Sequence, residues 1–217
     1  NKYLEDLHFK EIFEKEEKII FKNKKFKDLV KEVRKELHKV FGVFQIKKQW
    51  KKEELLTKLN SAKNLFEINK ISKEILKLHS SSRERINDYN EIYSEILKLK
   101  PEKILDLACG LNPCSIILTN FKGYYVAYDI SQSDVNFLNQ YFKIISKYGI
   151  KGKAFVKDIT RNRNFEEADL CFLLKFLDLI DDKRTFFINL IKSLKCKYLV
   201  VSFSKKTISL KQMNKPE

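Results

Sequence analysis

Five short apolar runs in the second half of the chain restrict its fold more than any other feature. They read KILDLA (103–108), YYVAYDI (124–130), KAFVKD (153–158), ADLCFLLK (168–175) and YLVVSF (198–203). Each ends near a polar residue, and helical patterns such as Val135, Leu138, Tyr141 and Phe142 lie between them. Near-continuous apolar strands that alternate with helices imply a parallel sheet covered on both faces. In open sheets of this kind a ligand sits beyond the carboxyl ends of the strands, where the strand order reverses. The chemistry is therefore sought in the last residues of each strand.

Residues 1–100 follow a different rule. Phe26, Leu29, Val30, Val33, Leu37, Val40 and Phe41 recur at steps of three and four, the single stripe of an amphipathic helix. Leu55, Leu56 and Leu59 begin a second pattern, which Ile68, Ile71, Ile75, Leu76 and Leu78 continue. Ser81 followed by Glu84 reads as a capping box. It would open a helix with Ile86, Tyr89, Tyr93, Ile96 and Leu97 on one face and Pro101 at its end. The expected fold class is α/β, a Rossmann-like sheet domain over residues 101–217 preceded by an all-helical domain over 1–100.

Charge narrows the class of partner. Lys and Arg number 44 against 29 Asp and Glu, a net charge of +15. Such an excess suits a polyanion, either nucleic acid or an acidic membrane surface, although a Lys-rich genome gives the same composition. The excess is spread along the chain, with 25 basic against 17 acidic residues in 1–100. No run of about 18 apolar residues is present to cross a bilayer. The opening NKYLEDLHFKEIFEKEEK has no signal-peptide core. A cytoplasmic, monomeric protein without a membrane partner is expected. The four cysteines, Cys109, Cys114, Cys171 and Cys196, form no CxxC pair. They read as reduced thiols in a cytoplasm and not as a metal site.

The strand ends carry the chemistry. The first continues as Asp106-Leu107-Ala108-Cys109-Gly110-Leu111-Asn112-Pro113. Small Ala108 and Gly110 let a ligand approach the backbone. Asn112 reads as the cap of the next helix, with Pro113 in its first turn. GxGxxG spacing and a Walker lysine are both missing, which speaks against NAD and ATP. Asp129 ends the second strand 19 residues after Gly110, near the spacing at which a carboxylate accepts ribose hydroxyls. Asp158 ends the third, where it could accept from an adenine amino group. Each acid alone reads equally well as a helix cap. Turn, ribose acid and third-strand acid together point to S-adenosylmethionine, and the sheet is then that of a class I methyltransferase.

These segments resemble the aminoglycoside-resistance 16S ribosomal RNA methyltransferases, which modify guanine N7 in the decoding A-site of the small ribosomal subunit. The matching stretches are HSSSRER (79–85), ILDLACGLNP (104–113), AYDI (127–130), ADLCFLLK (168–175) and VVSF (200–203), with a weaker match at LHKVFGVF (37–44). The likeness spans roughly residues 37 to 210, and HSSSRER joined to LDLACGLNP is its most specific part. It implies a cofactor site drawn from Phe44, His79, Ser80, Ser81, Ser82, Arg83, Glu84, Arg85, Ala108, Gly110, Asp129, Ile130, Asp158, Ile159, Leu174 and Lys183. Within that set Arg85 would pair with the methionine carboxylate, because a guanidinium offers a carboxylate two parallel donors. His79 would support the Arg85 loop. Phe44 would close the pocket, Ala108 lie under the methionine part, Asp158 and Ile159 meet adenine, and Leu174 form its wall. Lys24, Lys25, Lys27, Lys175, Lys205 and Lys206 are the expected RNA contacts, although Lys175 could equally meet a helix end.

Three departures bear on this reading. Ser204-Lys205-Lys206 follows the last Ser-Phe where the family commonly has Pro, and Lys183 stands where it has Gln. The chain stops at Glu217, short of the two further strands such sheets contain, so either the domain is truncated or that tail is missing. A methyltransferase for another RNA base remains an alternative. So does a non-catalytic RNA-binding or ribosome-assembly protein that keeps the cofactor fold. Housekeeping modification and antibiotic resistance are equally compatible with these residues.

Overall fold

A computed structural model describes residues 24–37, 50–177, 180 and 183–203. The chain divides into two compact units, Asn1–Val43 and Phe44–Glu217. In the first, α1 spans Lys24–Leu37. Phe26, Leu29 and Val30 are half-buried, whereas Lys27, Asp28, Lys31 and Glu32 are exposed, in line with the amphipathic spacing.

The second unit opens with helices α2 (Trp50–Ser61), α3 (Leu65–Leu76), α4 (Ser80–Glu84) and α5 (Tyr89–Ile96). The pattern from Leu55 to Leu78 is two helices, because the chain leaves the helix at Ala62-Lys63-Asn64. Asn64 starts α3: its side chain accepts the Glu67 N–H at 2.9 Å, and Glu67 reaches back to the Lys63 N–H at 2.9 Å. A reciprocal cap of this type satisfies amides that the first helical turn leaves free. The capping box expected at Ser81 and Glu84 does not form. Ser81 lies inside the five-residue α4, its hydroxyl 3.3 Å from His79 Nδ1, and Arg85–Asp88 separate α4 from α5. Tyr89, Tyr93 and Ile96 are nonetheless buried on one face of α5.

Five parallel strands follow: β1 (Lys103–Leu107), β2 (Gly123–Asp129), β3 (Ile150–Val156), β4 (Ala168–Leu174) and β5 (Cys196–Ser202). Helices α6 (Gln132–Ile145) and α7 (Lys183–Ser193) complete the described α-helices, and short 3-10 turns lie at Leu97–Leu99, Asn112–Leu118 and Ser146–Tyr148. The sheet order is β3-β2-β1-β4-β5, so the order reverses between β1 and β4. Strand alternation sorts the side chains into two cores. Ile104, Tyr125, Ala127, Ile150 and Phe172 pack with Leu55, Leu59, Ile68, Ile75 and Tyr89 of the helices and Leu138 and Tyr141 of α6. Leu105, Leu107, Val126, Tyr128, Cys171 and Leu173 pack with Phe186 and Leu190 of α7.

The domain boundary expected at residue 100 is therefore misplaced. Helices α2 to α5 bury their stripes directly on the sheet and belong to its core, and the division falls after Val43. Two buried polar links reinforce this packing. Ser72 Oγ of α3 lies 2.8 Å from Tyr141 Oη of α6. Lys52 of α2 forms an ion pair with Asp134 of α6, both less than a tenth exposed. Removing one partner of a buried pair strands the other charge, at a cost of about 3–5 kcal/mol. Lys52→Met is expected to lose that much in denaturant unfolding, and Lys52→Met/Asp134→Leu to recover most of it. Equal losses in both variants would show that packing, and not the stranded charge, sets the cost.

Candidate active site

The site is built where β1 and β2 end beside the reversal. After β1 the chain turns through Ala108 and Gly110, each with φ of 51°. For Ala108 this left-handed backbone is strained, a feature concentrated at functional sites. Lys175, directly after the neighbouring β4, is also left-handed, with φ of 59°. Asp129 fastens the turn to β2. Its Oδ2 accepts the Gly110 N–H at 2.7 Å and its Oδ1 the Ser131 N–H at 2.9 Å. Burial raises the Asp129 pKa, and these backbone donors oppose the rise. Each carboxylate oxygen keeps a further lone pair for a ligand hydroxyl.

His79 closes the turn from the helical side. A Cβ on Gly110 would lie 3.0 Å from His79 Nε2. Burial lowers the His79 pKa to about 4, with Arg85 and Lys52 adding repulsion and Asp134 opposing. The ring is therefore neutral at pH 7 and a weak base, which fits a packing role.

Beneath the turn lies a buried polar cluster centred on Asn112. The Asn112 amide donates to Asp106 Oδ2 at 2.8 Å and accepts from Tyr89 Oη at 2.9 Å and Arg85 Nη2 at 3.5 Å. Asn112 is thus not the helix cap expected of it; the 3-10 turn Asn112–Leu118 starts from Leu111, with Pro113 in its first positions. Tyr125 Oη donates to the same Asp106 oxygen at 2.7 Å. Burial raises the Asp106 pKa to about 6 against these two hydrogen bonds. Arg85 is 8% exposed, yet its Nε and Nη1 have no hydrogen-bond partner among the described residues. Asp106 Oδ1 and Ser82 Oγ are likewise buried and unpartnered. Unsatisfied buried polar atoms are costly and uncommon, so a group of them implies a ligand or ordered water.

The remaining expected site residues fall in several places. Ser80 and Ser81 lie in α4 beside His79, whereas Arg83 and Glu84 are exposed. Asp158 Oδ1 accepts both the Thr160 N–H at 2.9 Å and its hydroxyl at 2.6 Å, leaving Oδ2 3.6 Å from Arg161. Ile159 is buried, Leu174 half-buried and Ile130 exposed. Lys175 corrects an expectation: it is buried and its ammonium pairs with Glu84, so it is not a free surface contact for RNA. Lys183 opens α7, and Lys24 and Lys25 open α1. Phe44, Lys205 and Lys206 lie outside the described residues.

Sequence reasoning missed Asp106, Tyr89, Tyr125 and the Lys52–Asp134 pair. Asp106 carried a signal, since it is the one acid inside the apolar run KILDLA. Among the described residues no cluster of His, Cys, Asp and Glu could hold a metal ion, and no helix is long and apolar enough to cross a membrane.

A parallel sheet of this order, with a strained small-residue turn after β1 and an acid that ends β2, has the architecture of a Rossmann-like methyltransferase. Comparison with known proteins narrows the class. The family model described as "Ribosomal RNA methyltransferase (FmrO)" matches residues 11–215, and the chain belongs to that family. A 16S rRNA (guanine(1405)-N(7))-methyltransferase of Micromonospora rosea is 29% identical over 164 residues, covering 72% of this chain and 59% of its own length. The chain thus spans about three fifths of that relative. The enzyme of the same description from Proteus mirabilis is 29% identical over 200 residues, covering 84% of this chain and 70% of its own. Among solved structures, the 16S rRNA methyltransferase RmtF in complex with S-adenosyl-L-homocysteine aligns with a TM-score of 0.72 and 27% identity, over 89% of this chain and 72% of that one. The 16S rRNA methylase ArmA aligns with a TM-score of 0.54 and 28% identity, over 75% and 80%.

The turn geometry makes Gly110 testable. Alanine there would take on a left-handed backbone, costing about 1–2 kcal/mol, and press its methyl on the His79 ring. Gly110→Ala is expected to lower the melting temperature by several degrees, at about 2–4 °C per kcal/mol for a chain of this size. Adding His79→Ala should relieve the steric part only. An unchanged melting temperature in Gly110→Ala would mean the turn is not held as described.

Proposed function

We propose that this chain is an S-adenosylmethionine-dependent methyltransferase acting on guanine N7 of 16S ribosomal RNA, in the decoding A-site of the small subunit. The observation that carries the reading is the buried Arg85 guanidinium with two unused donors beside the turn after β1. Family membership and the names of the relatives support the same assignment. In this reading Arg85 receives the methionine carboxylate as a bidentate partner. Asp129 accepts from the ribose, Ala108 and Gly110 allow close backbone approach, and Asp158 and Ile159 receive the adenine. His79, Ser80, Ser81, Ser82, Arg83 and Glu84 form the segment that carries Arg85. Phe44, Ile130, Leu174 and Lys183 complete the walls.

The bound cofactor supplies an electrophilic methyl on a sulfonium. Guanine N7 carries a lone pair and no proton, so the chain need not provide a general base. The neutral, weakly basic His79 is consistent with that. What the residues contribute is alignment of two bound reactants, which accounts for a large share of the barrier in reactions of this kind. A base within folded RNA must also be exposed or turned out to reach the site.

The RNA grip is assigned to basic side chains in segments of the sequence other than those of the cofactor site, with Lys24, Lys25 and Lys27 on α1 and Lys205 and Lys206 near the carboxyl end. Exposed Lys27 and Lys31 on the polar side of α1 support this placement. The protein is proposed to act as a monomer in the cytoplasm, where small subunits are its substrate.

The test is transfer of a labelled methyl group to purified small subunits, followed by mapping of the modified nucleotide. One modified guanine, at N7 in the A-site, is expected. Methylation elsewhere in the RNA would replace the target, and cofactor binding without transfer to any particle would favour a non-catalytic role. Replacing Lys24, Lys25 and Lys27 together should weaken RNA binding and flatten its salt dependence, because fewer counterions are released, while leaving cofactor affinity unchanged. A salt series superimposable on wild type would move the RNA surface off α1.

A further inference from the structure

Helix α3 carries two faces of unlike character. Ile68, Ile75 and Leu76 are buried in the core shared with the sheet, and Ser72 bonds to Tyr141. On the outer side Phe66, Lys70, Lys73 and Lys77 follow one another at steps of four, three and four residues, and all are exposed. Such steps place side chains in one row along a helix, with neighbours about 5–6 Å apart. At the rise of an α-helix the row is roughly 16 Å long. Lys77 stands at the C-cap with helical backbone, so it continues the row. Among the described residues no ion pair engages Lys70, Lys73 or Lys77. The acids of the helix are turned elsewhere. Glu67 accepts from the Lys63 N–H and the Asn64 amide, and half-buried Glu74 acts on Lys58 of α2. On α2, by contrast, the lysines are balanced: Lys51 and Lys58 both pair with Glu54, and Lys52 with Asp134.

Resting on the RNA-substrate reading above, we propose that the outer face of α3 is a further RNA-binding surface, on which Lys70, Lys73 and Lys77 neutralise phosphates of one strand and Phe66 stacks on an unpaired base beside them. Phe66 is 79% exposed, an aromatic ring set in the same row as three cations. A ring and a line of positive charge together match a single strand, whose bases offer faces for stacking and whose backbone offers phosphates. Lysine ammoniums act there as point charges, which fix the position of the strand without reading its sequence. An acidic membrane fits the row less well. A helix that lies on a bilayer needs a broad apolar face, and that of α3 is already buried in the core. Lys73 and Lys77 also complement the negative end of the helix dipole, but that effect accounts for neither Phe66 nor Lys70 nearer the start of the helix. The row ends two residues before His79, against whose ring a Cβ on Gly110 would press. A strand gripped along α3 is thereby led toward the turn after β1.

The experiment is filter binding of the full chain to purified small subunits over a salt series, for wild type, Lys70→Gln/Lys73→Gln/Lys77→Gln and Phe66→Ala. The triple variant is expected to lower the slope of log affinity against log salt by about 2–3, with affinity down about 10–100-fold at moderate salt, because three phosphates keep their counterions. Phe66→Ala should weaken binding about 5–100-fold and leave the slope unchanged, since stacking releases no counterions. Calorimetry with S-adenosylhomocysteine should give the same affinity in all three proteins. A triple variant superimposable on wild type overturns the proposal and leaves the row a solvated face. So does a triple variant that loses binding only to phosphatidylserine vesicles, which would assign the row to a membrane. Lysine acetylation footprinting of wild type keeps the test valid should a variant fail to fold. Shielding of Lys70, Lys73 and Lys77 by small subunits supports the proposal, and full reactivity of all three in the complex overturns it. Absence of any salt-dependent binding by wild type is a different result: it removes the RNA-substrate reading itself.

Discussion

The site depends on one buried side-chain amide. Asn112 holds Asp106 on β1, Tyr89 on α5 and Arg85 in the segment between α4 and α5. It thereby joins the sheet, the turn after β1 and the helical layer at a single point. An amide can do this because it carries donors and acceptors on opposite sides of one planar group. Without it, Asp106 would keep only Tyr125 as a hydrogen-bond partner, and Arg85 would lose its one hydrogen bond to the cluster. A buried network of this type is favourable only when its members are satisfied, and here several atoms await partners. That incompleteness sets the cluster apart from a network such as Ser72 with Tyr141 and Cys114.

Around this point the backbone is bent to present the strand ends. Ala108 after β1 and Lys175 after β4 both adopt left-handed conformations on the two strands that flank the reversal. Asp129 then fixes the turn by holding the Gly110 and Ser131 amides with one carboxylate. Lys175 is drawn inward by Glu84, which ties the β4 end to α4. Turn, arginine segment and strand ends are therefore fixed by different interactions near the reversal of strand order.

The strands were the most legible part of the chain, because runs such as ADLCFLLK and YLVVSF have only one apolar reading between helical patterns. The helices were legible as stripes but not as boundaries. Leu55 to Leu78 keeps a common period across the break at Asn64, and period alone does not register a break. The Ser81–Glu84 spacing imitated a capping box, while the reciprocal cap formed at Asn64 and Glu67, where the chain enters from an extended conformation. The boundary after residue 100 failed for a tertiary reason: a change from helical to strand grammar does not say which surfaces pack together. A strand pattern counts apolar positions and passes over Asp106, and Asn112 looks locally like a cap although Tyr89 and Arg85 reach it from more than 20 residues away. Single polar residues acquire their roles from neighbours that only the fold supplies.

In the proposed function the buried guanidinium of Arg85 anchors an S-adenosyl amino acid. It is tested most directly by an experimental structure of the protein with S-adenosylhomocysteine bound. The expected complex holds the ligand's carboxylate within hydrogen-bonding distance of Arg85 Nε and Nη1, with the ribose at Asp129. A complex in which the ligand's head points to solvent and those two nitrogens remain without a ligand partner would contradict it.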